Sequence, residues 1–155
     1  MRVGVDLLSV SRFAEVAAHH RYRRLVLTET ELAAAATLST GRCLERLAGR
    51  FCVKEAVCKL LGRGFGQGLR WRDIEVTNDR WGAPAVTLTG GARRLADEAG
   101  LADIVVTLSH QADLVIAIAA TAGPGPVVGS NADPLRARLT EVALLADGLL
   151  AAAAG

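Results

Sequence analysis

The sequence predicts an α+β fold, and three features carry that reading. Short β-branched apolar segments open the chain and recur after residue 70; a long helix-compatible run fills the middle; and the two kinds of segment interleave without a regular strand–helix–strand repeat. With 155 residues, 51% of them hydrophobic, the chain suits one packed domain. We assign residues 1–121 to that domain, 122–134 to a linker and 135–155 to a C-terminal helical extension.

Val3 to Leu7 reads as a buried strand presenting Asp6 at its edge. Ser9 or Ser11 can cap a helix running toward His19, and the HHRYRR stretch that follows is polar and basic. Thr28 with Glu31 three residues on is a capping-box arrangement, which starts a helix through Leu32 and the alanines that Ser39, Thr40 and Gly41 interrupt. The central helix spans about Cys43 to Leu61 and stops at Gly62, Gly64, Gly66 and Gly68. That glycine-rich loop follows a helix instead of joining a strand to one, so it lacks the context of a phosphate-binding loop. Ile74 to Thr77 and Ala85 to Leu88 read as a hairpin around Asn78, Asp79, Gly82 and Pro84. A helix over Gly91 to Ala99 is closed by Gly100. A second hairpin pairs Ile104 to Leu108 with Leu114 to Ala120, with Ser109, His110, Gln111 and Asp113 around its tip. Beyond Thr121, AGPGPVVGSNADP has linker composition, and Leu135, Leu139, Val142, Ala146 and Leu149 form one apolar stripe. Arg136, Arg138, Glu141 and Asp147 do not make a strongly basic face, so that stripe suits packing on the body or a partner better than a membrane.

Composition excludes several classes. Eighteen basic and sixteen acidic residues leave a net charge of +2, too little for a general affinity for nucleic acid, so recognition of a polyanion has to be local. Cys43, Cys52 and Cys58 are odd in number and lack a CxxC spacing, which suits buried free thiols in a reducing cytoplasm. The chain enters a strand at once without the apolar core of a signal peptide, and no apolar run approaches the length of a membrane span.

Residues four apart share a helix face, so Phe51, Glu55 and Lys59 form a stripe passing from apolar to anionic to cationic. A hard divalent cation binds through one or two carboxylates and takes phosphate oxygens and water for the rest, so Asp6 and Glu55 suffice for a metal-assisted phosphate site. On spacing alone, a plain Glu55–Lys59 surface ion pair, worth about 0.2–0.5 kcal/mol, is the favoured reading.

The segments VGVDLLSVSRF and GRFCVKEAVCKLLG, followed in order by WRDIEV, the Gly82 to Pro84 turn and VTLSH at Val106 to His110, together resemble the holo-acyl-carrier-protein synthases. These are the AcpS-type 4′-phosphopantetheinyl transferases, and the resemblance spans residues 2 to about 120. Gly49, Arg50, Phe51, Lys54, Glu55, Ala56, Lys59 and Gly62 match the family's central-helix pattern. Cys52 and Val53 replace small residues, Arg63 stands where threonine is frequent and Ala83 replaces a common lysine. The resemblance implies a 4′-phosphopantetheinyl transferase-like fold, a small antiparallel sheet packed with a long central helix and assembled as a homotrimer. It implies transfer of 4′-phosphopantetheine from coenzyme A to a serine of an apo acyl carrier protein, in the cytoplasm, with no nucleic acid or membrane partner.

In residue terms, the resemblance implies Asp6 and Glu55 as ligands of magnesium, with manganese as a substitute, and Glu55 and Lys59 as the catalytic pair. It implies coenzyme A contacts from Arg42, Arg50, Lys59, Gly62, Pro84, Ser109 and His110, with the 3′-phosphate falling to Arg42, Arg50 and His110. Arg12, Arg21 and Arg24 are implied as docking contacts for an acidic carrier. Each has a plain structural alternative: Arg50 solvated on its helix, Arg42 capping a preceding turn, His110 an ordinary hairpin residue, the arginines a solvated face. Two other functions fit the same residues. A coenzyme A binding scaffold would bind without turnover, and a metal-dependent phosphoesterase would release adenosine bisphosphate without a carrier.

Overall fold

The computed structural model describes residues 1–121; the linker and helical extension assigned to 122–155 lie outside the described residues. The order is β1 (Arg2–Ser9), α1 (Val10–Ala17), α2 (His20–Val26), α3 (Glu29–Ala36), α4 (Thr40–Leu61), a single 3-10 turn (Trp71–Asp73), β2 (Ile74–Asn78), β3 (Pro84–Leu88), α5 (Gly90–Glu98), β4 (Ile104–Gln111) and β5 (Leu114–Thr121). Among the described residues all strand pairing is antiparallel and divides between two small sheets, β1-β5-β4 and β2-β3. Helix α4 packs across β1 and β5 and also meets α1, α3 and β2. The α+β class and the long central helix therefore stand as expected. No helix of the described residues is long and apolar enough to cross a membrane.

The sheet can lie close to α4 because β5 and β1 offer small residues on their inner face. Ala117 and Ala119 are fully buried, and Gly4 stands against the helix backbone. A Cβ on Gly4 would collide with the Ala56 carbonyl oxygen and stand 2.6 Å from the Leu60 nitrogen. That contact sets the depth at which β1 seats and hence where Asp6, two residues on and on the same face, meets the helix.

A buried polar network ties the other layer. Lys54 and Glu31, both without exposed side-chain surface, pair at 2.9 Å. Lys54 also donates to the carbonyls of Trp71 (3.1 Å) and Ile74 (2.6 Å), while Glu31 accepts from the Thr28 and Val76 backbone N–H groups at 2.8 Å each. One ion pair thus joins α3, α4, the 3-10 turn and β2, with its donors and acceptors met. The Thr28–Glu31 capping box is present as the spacing predicted, and Glu31 performs both tasks.

Several boundaries differ from the sequence reading. The basic HHRYRR stretch is helical as α2, which lacks a side-chain cap and packs on the 3-10 turn. Helix α4 starts at Thr40, so Arg42 lies inside its first turn and caps nothing before it. Asp6 stands in mid-strand opposite Ala117, not at a strand end. Strand β4 runs on to Gln111, which places Ser109 and His110 in the ladder and leaves only Ala112 and Asp113 in the turn. Ala112 has φ 51°, and the Asp113 carboxylate accepts from the Ser9 hydroxyl and from the Ser11 N–H and hydroxyl. That anchorage fastens the hairpin to the β1–α1 junction, where the Ser9 side chain caps α1.

Candidate functional site

Strand β1 and helix α4 bring Asp6, Glu55 and Lys59 together. Lys59 Nζ lies 2.8 Å from Asp6 Oδ1. The Glu55 carboxylate has no hydrogen bond or ion pair among the described residues, so the Glu55–Lys59 ion pair allowed by the spacing does not form. Burial raises the Glu55 pKa above its ordinary value and the nearby Asp6 charge raises it further, against a smaller opposing effect of Lys59. The hydrogen bond to Asp6 holds the Lys59 ammonium above its own usual value. Two carboxylates close enough to repel, one of them half-buried without a cationic partner, form a donor set that fits a hard divalent cation.

An aromatic array borders the carboxylates. Phe51, one turn before Glu55, contacts Phe13 at 5.5 Å and Tyr22 at 6.4 Å between ring centres, and stacks on Trp71 at 4.7 Å. Phe65, from the glycine-rich loop, stacks on the other face of the array against Trp71. The contact of Tyr22 with Phe51 places α2 beside the site, and the Tyr22 hydroxyl pKa is raised by burial first and by the Glu55 charge second. The exposed Arg21 and Arg24 lie on α2, and the exposed Arg12 on α1.

A second locus is a cleft of about 440 Å³ to which Arg42, Arg46, Arg50, Asn78, Pro84 and His110 all contribute. Three of these come from α4 at four-residue intervals, Asn78 and Pro84 from the paired ends of β2 and β3, and His110 from β4. His110 sits opposite Val115 on the inner side of the sheet, a position its strand register dictates. Four of the expected coenzyme A residues, Arg42, Arg50, Pro84 and His110, therefore share one concavity.

The others do not. Lys59 belongs to the carboxylate locus, and Gly62, at φ 72°, ends α4 three residues later in a left-handed cap where the Arg63 N–H returns to the Cys58 carbonyl. Ser109 alternates to the sheet face opposite His110. Asp6, Glu55 and Lys59 do not line the cleft. At 3.6 residues per turn the Arg42–Arg46–Arg50 row and the Phe51–Glu55–Lys59 row fall on roughly opposite sides of α4.

Sequence reasoning missed Arg46 and Asn78. Arg46 was legible as the middle of an i, i+4 row with Arg42 and Arg50. Asn78 comes from a hairpin whose approach to α4 is a tertiary matter.

A family model, ACPS, described as the 4′-phosphopantetheinyl transferase superfamily, matches residues 2–119. The chain is 39% identical over 122 residues to a holo-[acyl-carrier-protein] synthase from Desulforudis audaxviator, covering 79% of this chain and 92% of that protein. It is 40% identical over 111 residues to a protein of the same name from Moorella thermoacetica, covering 71% and 84%. Among solved structures it is similar to the ACPS–CoA complex of Chronobacterium ammoniagenes, with a TM-score of 0.70 and 30% identity over 80% of this chain and 98% of that one.

Proposed function

This chain belongs to the 4′-phosphopantetheinyl transferase superfamily, and from that membership we propose that it is a holo-[acyl-carrier-protein] synthase. It moves 4′-phosphopantetheine from coenzyme A to a serine of an apo acyl carrier protein and releases adenosine 3′,5′-bisphosphate. The observation that carries the reading is the convergence of Asp6, Glu55 and Lys59 across the β1–α4 contact.

Asp6 and Glu55 would hold magnesium, or manganese in its place, which when bound supplies Lewis-acid polarisation of the pyrophosphate. In the transfer the serine oxygen forms a bond to the β-phosphorus as the bond to the adenosine bisphosphate oxygen breaks. Glu55 is one acceptor for the serine proton, but a carboxylate that holds a dication is a weak base, so a nearby water is an equally good one. Lys59 is half-exposed and keeps its proton, so its ammonium can swing from Asp6 to the pyrophosphate and offset charge on the departing phosphate. The cleft of Arg42, Arg50, Pro84 and His110 takes the 3′-phosphate end of coenzyme A. Arg12, Arg21 and Arg24 offer the acidic carrier a cationic border on the two helices beside Glu55.

The working assembly in this reading is a homotrimer in the cytoplasm. Two features favour it. The carboxylate locus and the arginine cleft occupy different sides of α4, which suits a coenzyme A site built between two copies. The outer face of the three-stranded sheet also leaves Val3, Val5 and Leu7 41%, 44% and 56% exposed, a contiguous apolar strip suited to burial between subunits.

The test is intact-mass spectrometry of several apo carriers incubated with the protein, coenzyme A and magnesium, beside a Glu55→Ala control. A phosphopantetheine-sized gain that the control lacks supports the reading; no gain on any carrier refutes it. Light scattering of the wild type and of Val5→Asp tests the assembly, with a trimer expected for the first and a smaller species for the second.

A further inference from the structure

The cleft holds more positive charge than a single phosphate contact needs. Three guanidinium groups, of Arg42, Arg46 and Arg50, line it against one carboxylate, Glu45. Asn78 Oδ1 accepts from Arg46 Nη1 at 3.1 Å and also from Arg50 Nη2. One neutral amide oxygen thus serves two guanidinium groups, occupying both its lone pairs without neutralising either charge. Arg50 is only 3% exposed, its Nε has no hydrogen-bond partner, and its pKa is lowered by burial first and by the charge of Arg46 second. A buried cation with an unmet donor, pressed against a second cation, is a costly arrangement unless an anion completes it.

We propose that Arg46, held beside Arg50 by Asn78, is a specificity-determining residue, the two guanidinium groups together seating the 3′-phosphate of coenzyme A. The inference rests on the reading above that this cleft takes the 3′-phosphate end of coenzyme A. A phosphomonoester brings nearly two negative charges and three strong acceptor oxygens, enough to take over donors from both arginines. Asn78 also donates to the Gly82 carbonyl, so the β2–β3 hairpin fixes the amide that spaces the two forks. A ligand without the 3′-phosphate leaves the arginines facing each other, and discrimination against it follows from that unrelieved repulsion.

Calorimetric titration of the full chain with adenosine 3′,5′-bisphosphate and with adenosine 5′-monophosphate tests this, on wild type, Arg46→Gln and Arg46→Lys. Loss of a charge-assisted contact predicts that Arg46→Gln binds the bisphosphate roughly tenfold to a hundredfold more weakly and the monophosphate within about twofold of wild type. Arg46→Lys, which keeps the charge and loses the planar fork, falls between. In turnover, the KM for coenzyme A rises in Arg46→Gln while the KM for 3′-dephospho-coenzyme A and kcat hold. An Arg46→Gln protein that melts like wild type and weakens both nucleotides alike, or neither, overturns the assignment. Failure of the transferase reading looks different: wild type then binds the bisphosphate and modifies no carrier, and a selective loss in Arg46→Gln still supports the two-guanidinium seat.

Discussion

Lys59 on α4 reaches across to Asp6 on β1, 2.8 Å from Nζ to Oδ1, and leaves Glu55, its neighbour one turn back, without a partner. The strand and the helix thus share one ion pair whose cation stands where a divalent ion would compete for Asp6. In the proposed reaction coenzyme A would offer Lys59 another anion, which would couple binding of the substrate to release of Asp6 through a single side chain.

Lys59→Ala removes that competing cation. Because Lys59 is 53% exposed and screened, divalent-ion affinity in the absence of coenzyme A should rise only a few-fold. The transfer rate should fall by roughly 10²–10³, the usual cost of losing a donor aimed at a developing oxyanion. Manganese titration by electron paramagnetic resonance, alongside a mass-spectrometric time course, separates the two effects; unchanged ion affinity contradicts the competition.

Glu55→Gln should abolish transfer and yet stabilise the metal-free protein at neutral pH. The folded pKa of Glu55 is raised from 4.5, so its contribution is fully present below that value and is lost as pH rises through the folded pKa. The glutamine variant escapes that loss. Melting curves in chelator should show the variant ahead of wild type at pH 7, the gap closing below about pH 4; a variant less stable than wild type at pH 7 counts against a strained carboxylate.

Gly4→Ala inserts a methyl group into the Ala56 carbonyl and the Leu60 nitrogen, neither of which can step aside without bending α4. Overpacking of this kind costs about 1–3 kcal/mol or more, and it lifts β1 from the helix. Chemical denaturation should register the loss, and in whatever folded fraction remains Asp6 should hold manganese less tightly than in wild type. Wild-type affinity in that fraction would disconnect Gly4 from the site.

Lys54→Met strips the buried partner from Glu31 and removes the ammonium donor from the Trp71 and Ile74 carbonyls, of which Trp71 still accepts from the Ile74 N–H. Removing one half of a buried pair costs about 3–5 kcal/mol. Urea unfolding measures it, and a loss under about 1 kcal/mol would mean that water replaces the ammonium. Trp71 stacks on Phe51 and Phe65 and accepts from Lys54 through its carbonyl, so the variant should also redshift its emission as that anchor is lost.

What could be read in the chain was whatever depends on near neighbours. The Thr28–Glu31 capping box, the stop of α4 at Gly62 and the Phe51–Glu55–Lys59 stripe all follow from spacings of three or four residues, and local backbone geometry enforces those spacings; the strand read as buried over Val3 to Leu7 instead exposes Val3, Val5 and Leu7 on one face. The order of the motifs was also enough to identify the family. The partners of charged groups were not legible, because a helix face tells which residues look outward and not what they meet. Lys59 chooses Asp6 over Glu55 because Gly4 lets β1 sit against the helix backbone, and Arg46 joins Arg50 because a hairpin 28 residues further on lays Asn78 between them. Such pairings are set by long-range packing, where burial and the approach of distant strands decide which of several adequate partners a charge obtains.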